Sequence, residues 1–126
     1  MSVERKRPKL DDTARIRHML DAARRACELA QGKEVGRLDP DCETALALTR
    51  LLEILGEAAK HVTQETQAKH PVVPWRDIAD TRNRIIREYF DVDYDIVEAL
   101  IRVDLPPLIK QLQVVLGTLQ AGQTQR

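Results

Sequence analysis

Large rings are scarce in this chain of 126 residues: one tryptophan, one phenylalanine and two tyrosines, 3% in all. A sandwich or barrel core leaning on aromatics is therefore disfavoured. The interior falls to Leu, Ile, Val and Ala, a palette that suits helix packed on helix. An excess of either charge is missing too, because 20 Lys and Arg meet 20 Asp and Glu for a formal net charge of zero. No global positive field draws the chain to nucleic acid, so RNA binding would need a local patch, one that dimerisation can complete. Cysteine is limited to Cys27 and Cys42, which lack metal-ligand spacing. Neither a metal nor a cofactor is expected, and reduced thiols of a cytosolic protein are favoured over a disulfide. No apolar run approaches the ~18 residues that a membrane span requires. The segment Met1–Lys9 is charged and lacks the apolar core of a signal peptide, which points to the cytoplasm.

What is present is a single domain's worth of chain. Hydrophobic residues at 43% and charged residues at 32% suit a globular fold with a well-charged surface. The expected division is a basic, disordered tail over 1–10, a helical domain over 11–119 and a polar tail over 120–126. Arg5-Lys6-Arg7-Pro8-Lys9 in the first of these reads as a solvated run that can touch RNA.

Apolar residues recur at helical spacing. Ile16, Met19, Leu20, Ala23, Cys27 and Ala30 mark a first helix, capped by Asp11 or Asp12 and ended by Gly32. Leu48, Leu51, Leu52, Leu55, Ala59 and Val62 mark a second, expected from about Pro40 to about Gln67 with Asp39 as its cap. The run His70-Pro71-Val72-Val73-Pro74 breaks the chain. A third helix is expected from Pro74 through Trp75 and Ile78 to Phe90 or Asp91. Asp93 then caps a fourth, carrying Ile96, Val97, Leu100, Ile101 and Val103. Pro106 and Pro107 cannot sit inside that helix and are assigned to the first turn of a fifth, capped by Asp104. Its stripe is Leu105, Leu108, Ile109, Leu112, Val115, Leu116 and Leu119, fraying from Gln120. No strand alternation of useful length is present. The reading is an all-α, up-and-down bundle of about five helices.

The segment Arg82-Asn83-Arg84-Ile85-Ile86-Arg87-Glu88-Tyr89 stands out. On a continuous helix Ile78, Arg82, Ile85, Ile86 and Tyr89 share one face, and a guanidinium in an apolar stripe needs a partner. That partner is an acidic neighbour such as Asp77, Asp80 or Glu88, a second subunit, or an anionic substrate. Arg82 offers a planar fork suited to phosphate and Tyr89 a hydroxyl that can donate, accept or be modified. Asn83 and Arg87 line the neighbouring strip. The layout suits a phosphodiester, whereas an intramolecular salt bridge makes the same arginine purely structural.

The chain resembles the HepT-like toxins of the HEPN superfamily, small all-α proteins encoded beside a minimal nucleotidyltransferase antitoxin. The resemblance runs from about Thr13 to about Leu116. It rests on Arg15-Ile-Arg-His-Met-Leu20, Leu55-Gly-Glu-Ala-Ala-Lys60, Pro74-Trp-Arg-Asp-Ile78, Arg82-Asn83, Glu88-Tyr89-Phe90, Val92-Asp93 and Asp104-Leu-Pro-Pro-Leu108. It implies a bundle that dimerises through the motif face and cuts RNA in the shared cleft without a metal. It also implies that Arg82 and Asn83 serve the scissile phosphate. A histidine is implied after four to six intervening residues, commonly followed by x-Tyr, to move protons as the ribose 2′-hydroxyl attacks; four intervening residues after Arg82 is the spacing expected here. Tyr89 is implied as the acceptor of AMP from the antitoxin.

At the histidine position this chain has Arg87. A guanidinium stays protonated in proteins and cannot shuttle protons near neutral pH, so activity is expected to be weakened or lost. A natural silent relative and an introduced inactivating change are equally compatible with that residue. A second reading is a non-catalytic RNA- or nucleotide-binding module that partners a nucleotidyltransferase. A third is a plain structural bundle. His18, His61 and His70 read as structural or surface residues. Glu57 and Lys60 read as a surface pair, Gly56 as a point of close helix approach, Trp75 as a packing anchor, and Asp91 and Asp93 as capping or turning residues.

Overall fold

The computed structural model describes residues 11–89 and 91–124. The predicted basic tail over 1–10 lies outside them, as does Phe90. The fold is all-α apart from one small hairpin. It comprises α1 (Asp12–Ala30), α2 (Glu43–His61), α3 (Gln64–Lys69), α4 (Trp75–Ala79), α5 (Thr81–Ile85), β1 (Ile86–Glu88), β2 (Asp91–Val92), α6 (Tyr94–Ala99) and α7 (Leu105–Thr124). A 3-10 turn at Val35–Arg37 follows α1, and a π-helical turn at Leu100–Asp104 joins α6 to α7.

Asp11 is the cap of α1, accepting from the Ala14 amide at 2.9 Å, and Gly32 takes the left-handed φ of +73° just past the helix end. The apolar faces of α1 and α2 form the most extensive helix pair. Ile16, Met19, Leu20, Leu48, Leu52 and Leu55 are buried where the two helices meet the rest of the core. The pair is antiparallel, because Thr63, just beyond α2, donates to Asp12 at the start of α1. α7 also runs against α1. Its beginning lies by Ala30 and Lys33, whose carbonyls accept from Arg102 at 3.0 and 2.7 Å. Its far end reaches Thr13 through Gln123.

Several boundaries differ from the sequence expectation. α2 starts at Glu43 with Cys42 as cap, while Asp39 turns back on the Asp41 amide instead. The predicted long second helix is cut at Val62, and Thr63 caps a separate α3. The cut is stabilised by Asp12, whose carboxylate accepts from the Thr63 amide at 3.0 Å, the Thr63 hydroxyl at 2.6 Å and the Thr66 hydroxyl at 2.5 Å.

The fourth and fifth helices are continuous through the π turn, with no separate cap at Asp104. The Leu105 amide donates to the Leu100 carbonyl, a wider repeat that accommodates two prolines lacking amide protons. The extra residue advances the helix face, so Val103, predicted to be in the stripe, is 67% exposed. α7 continues to Thr124 rather than fraying at Gln120.

The third helix is the largest correction. It kinks at Asp80 between α4 and α5 and stops at Ile85. The second half of the motif enters an antiparallel hairpin, with Ile86 opposite Val92, Glu88 opposite Asp91 and a bulge between.

Burial alone raises the pKa of Asp12, but the hydrogen bonds from Thr63 and Thr66, with Arg15 nearby, outweigh it and hold the carboxyl below its ordinary 3.8. A depressed folded value means that the stabilisation is complete above the unfolded pKa and is lost as pH falls through the folded one. Replacing Asp12 by Ala leaves the buried Thr66 hydroxyl with only the long contact to Thr63 Oγ1 at 3.3 Å. We expect a loss of about 1–3 kcal/mol, towards the lower end because Asp12 is only half-buried. Urea titrations should find it at pH 7 and find the gap to wild type closing below pH ~4.

Candidate nucleic-acid interface

The close approach of α2 to α4 and α5 positions the motif. At Gly56 a Cβ would lie 3.0 Å from the Ile78 carbonyl and 3.6 Å from Thr81, so this glycine lets the end of α4 and the start of α5 sit down on α2, a close helix approach as expected. Ile78, Thr81 and Ile85 are buried beneath, and the Thr81 hydroxyl donates to the Ile78 carbonyl at 2.6 Å. Trp75 anchors the start of α4, buried and donating from Nε1 to the His70 carbonyl at 3.0 Å.

With Ile85 packed inwards, Arg82 projects outwards and is exposed. Among the described residues its side chain makes no hydrogen bond or ion pair, and Asp77, Asp80 and Glu88 do not neutralise it. Asp80 instead accepts from Asn83 Nδ2 at 2.7 Å, and Arg84 pairs with Asp104 at 3.4 Å. Glu57 pairs with Lys60 at 3.2 Å, as the sequence suggested.

Two grooves flank Arg82. One, about 700 Å³, runs along α2 past Leu46, Thr49 and Arg50 to Val92 and Tyr94. The other, about 360 Å³, is bordered by Glu57, Lys60, Asp80 and Asn83. Arg82, Ile86 and Tyr89 line both and form the ridge between them. The floor includes Tyr94, a residue that the sequence reading did not single out. It is buried, and its hydroxyl meets Thr49 Oγ1 at 3.1 Å.

Arg82 and Tyr89 are thus neighbours, but not for the reason their spacing suggested. They meet because the hairpin folds back, not because they share a helix face. Tyr89 sits at the turn with φ of +51°, a left-handed conformation uncommon for a residue with a Cβ. The residue is 89% exposed.

Arg87 borders neither groove. Its Nε donates to Asp93 Oδ2 at 3.1 Å. This hydrogen bond raises the guanidinium's pKa further and holds the Asp93 carboxyl below its usual range. Asp93 is also the cap of α6, Oδ1 accepting from the Asp95 and Ile96 amides at 3.0 and 3.2 Å. Capping was legible in the sequence. The pairing was not, since it depends on hairpin register.

His18 and His61 are exposed and His70 is half-buried, and none borders the Arg82 grooves. Cys27 and Cys42 are both free thiols. Among the described residues no cluster of His, Cys, Asp and Glu could hold a metal ion, and no helix is long and apolar enough to cross a membrane.

Among the described residues, then, this helical domain presents on one grooved face an arginine without an ion pair, an asparagine and an exposed tyrosine, side chains whose N–H and O–H groups can donate to phosphate oxygens. The chain belongs to the ribonuclease HepT-like family, whose model matches residues 19–115. It is 36% identical over 101 residues to "Putative RNase TTE0752" of Caldanaerobacter subterraneus subsp. tengcongensis, covering 80% of this chain and 90% of that protein. It is 28% identical over 107 residues to "Putative RNase MJ1380" of Methanocaldococcus jannaschii, covering 85% and 98%. It is 38% identical over 68 residues to "Probable ribonuclease HepT" of Thermococcus cleftensis, covering 54% and 62%. No solved structure gives a significant match.

Proposed function

We propose that this chain is an RNA-directed member of its family, built to cut RNA without a metal in a cleft between two protomers, with its proton-transfer position disabled by Arg87. The observation that carries this reading is the state of Arg82: exposed on a ridge between two grooves and unpaired among the described residues. A guanidinium so placed is available to a phosphate, and Asn83 borders the same groove. In this reading two copies dimerise through the motif face. Arg82 balances the charge that develops as the ribose 2′-oxygen attacks phosphorus and the 5′-oxygen leaves. Residue 87 would move the proton, and an arginine cannot. The expected partner is a nucleotidyltransferase antitoxin that attaches AMP to Tyr89. The exposure of that ring at the hairpin tip supports its role as acceptor.

The reading of a non-catalytic binding module draws on the Arg87–Asp93 pair, which keeps a cation at position 87 but neutralises it. Both readings require RNA binding through Arg82. Affinity of the native protein for a single-stranded RNA should weaken as salt rises, and Arg82→Ala should flatten the log–log slope by about 0.7 for each phosphate no longer neutralised. Arg87→Ala should leave that slope close to wild type, because Asp93 already holds the guanidinium. Equal slopes for the wild-type and Arg82→Ala proteins would exclude Arg82 as a phosphate ligand.

A further inference from the structure

We infer that Asp93 is the positioning residue for the side chain at position 87: one carboxylate oxygen is fixed by the cap of α6 while the other is presented to whatever residue 87 carries. This deepens the reading above and rests on it. The geometry divides the two oxygens cleanly. Oδ1 is held by two backbone amides, so the carboxylate cannot rotate away without uncapping the helix. Oδ2 lies 3.1 Å from Arg87 Nε.

The two strands and the cap bring these residues together. Ile86 faces Val92 across the hairpin, and the Asp93 amide donates to the Ile85 carbonyl at 2.6 Å. Residue 93 is therefore held beside the strand that carries residue 87. The Asp93 side chain is 17% exposed and that of Arg87 is 56% exposed, so the carboxylate is the sheltered, fixed partner and the group at position 87 the adaptable one.

Asp91 of β2 and Asp95 of α6 also act on position 87, with the same sign. Position 87 thus has acidic neighbours on both adjoining elements and one well-aimed acceptor. An imidazole placed there would donate one ring nitrogen to Oδ2, would be stabilised as a cation, and would leave its other nitrogen facing solvent. A carboxylate behind an imidazole fixes its orientation and tautomer. In the native chain the same oxygen, Oδ2, accepts from Arg87 Nε.

The test uses the full chain carrying Arg87→His, with and without Asp93→Asn. Asparagine caps helices as well as aspartate does, so α6 should persist while the charge is removed; Asp93→Ser, another good cap, serves if Asp93→Asn fails to fold. NMR titration should find the introduced imidazole raised by about 0.5–1 unit above 6.5 in the single variant. It should return towards 6.5 in the double variant, and the pH profile of any RNA cleavage should move with it. An imidazole that titrates identically in both would overturn the inference and would assign the field to Asp91 and Asp95. The titration needs no RNA, so a variant that never cuts refutes the catalytic reading while leaving the role of Asp93 to be judged by NMR.

Discussion

Arg87→His should convert this protein into an active ribonuclease, raising the rate of RNA cleavage by about 10²–10⁴-fold, the usual worth of a positioned general acid or base. The native side chain is an arginine whose proton is held more tightly still by Asp93, so it offers phosphate attraction at most and no proton transfer. The substitution changes nothing in the core, since Arg87 is exposed, and Asp93 remains to receive the imidazole. A fluorogenic or end-labelled RNA, assayed from pH 5 to 9, is the measurement. Failure of the well-folded variant to cut any cellular RNA, with or without growth arrest on expression, would rule out the catalytic reading and leave the binding module.

In that same background Arg82→Ala should reduce cleavage by about 10²–10³-fold, as the loss of one oxyanion-stabilising donor does. It should leave thermal stability within ~0.5 kcal/mol of its parent. The second half follows from the structure: among the described residues Arg82 makes no ion pair or hydrogen bond, and no packing depends on its charge. Undiminished activity in the double variant would instead favour the view that the motif is structural. Arg84→Ala is the matched control. It deletes a neighbouring arginine that is already engaged by Asp104 at 3.4 Å, and it should change cleavage far less.

The sequence was a good guide where burial is decided locally. The stripes of α1, α2 and α7 were read from spacing, and Ile16, Leu48, Leu52 and Leu112 are buried. The cap at Asp93 was legible, and that of α1 was narrowed to Asp11 or Asp12, because a short acceptor before an apolar run has one favoured use. The close approach at Gly56 and the pairing of Glu57 with Lys60 were read in the same way.

Spacing failed at the motif itself. The period of Ile78, Arg82, Ile85 and Ile86 continues smoothly into Tyr89, so nothing local announced that the helix would end at Ile85. The helical reading put Arg82 in an apolar stripe; the structure puts it on a ridge above one. The π turn escaped for a related reason. Two prolines signal a break, but whether the chain stops or widens its repeat depends on what Leu100 and Leu105 can bury.

The amino-acid order alone determined the helical class, the core stripes of α1, α2 and α7 and the cap at Asp93, because each follows from interactions within a few positions of the chain; it also marked Arg82, Asn83, Arg87 and Tyr89 as candidates. Tertiary structure decided which of those residues stand together. The antiparallel register of Ile86 with Val92 and the left-handed turn at Tyr89 arise from pairing and packing between segments. That is why Arg82 and Tyr89 share a groove while Arg87 is turned aside to Asp93.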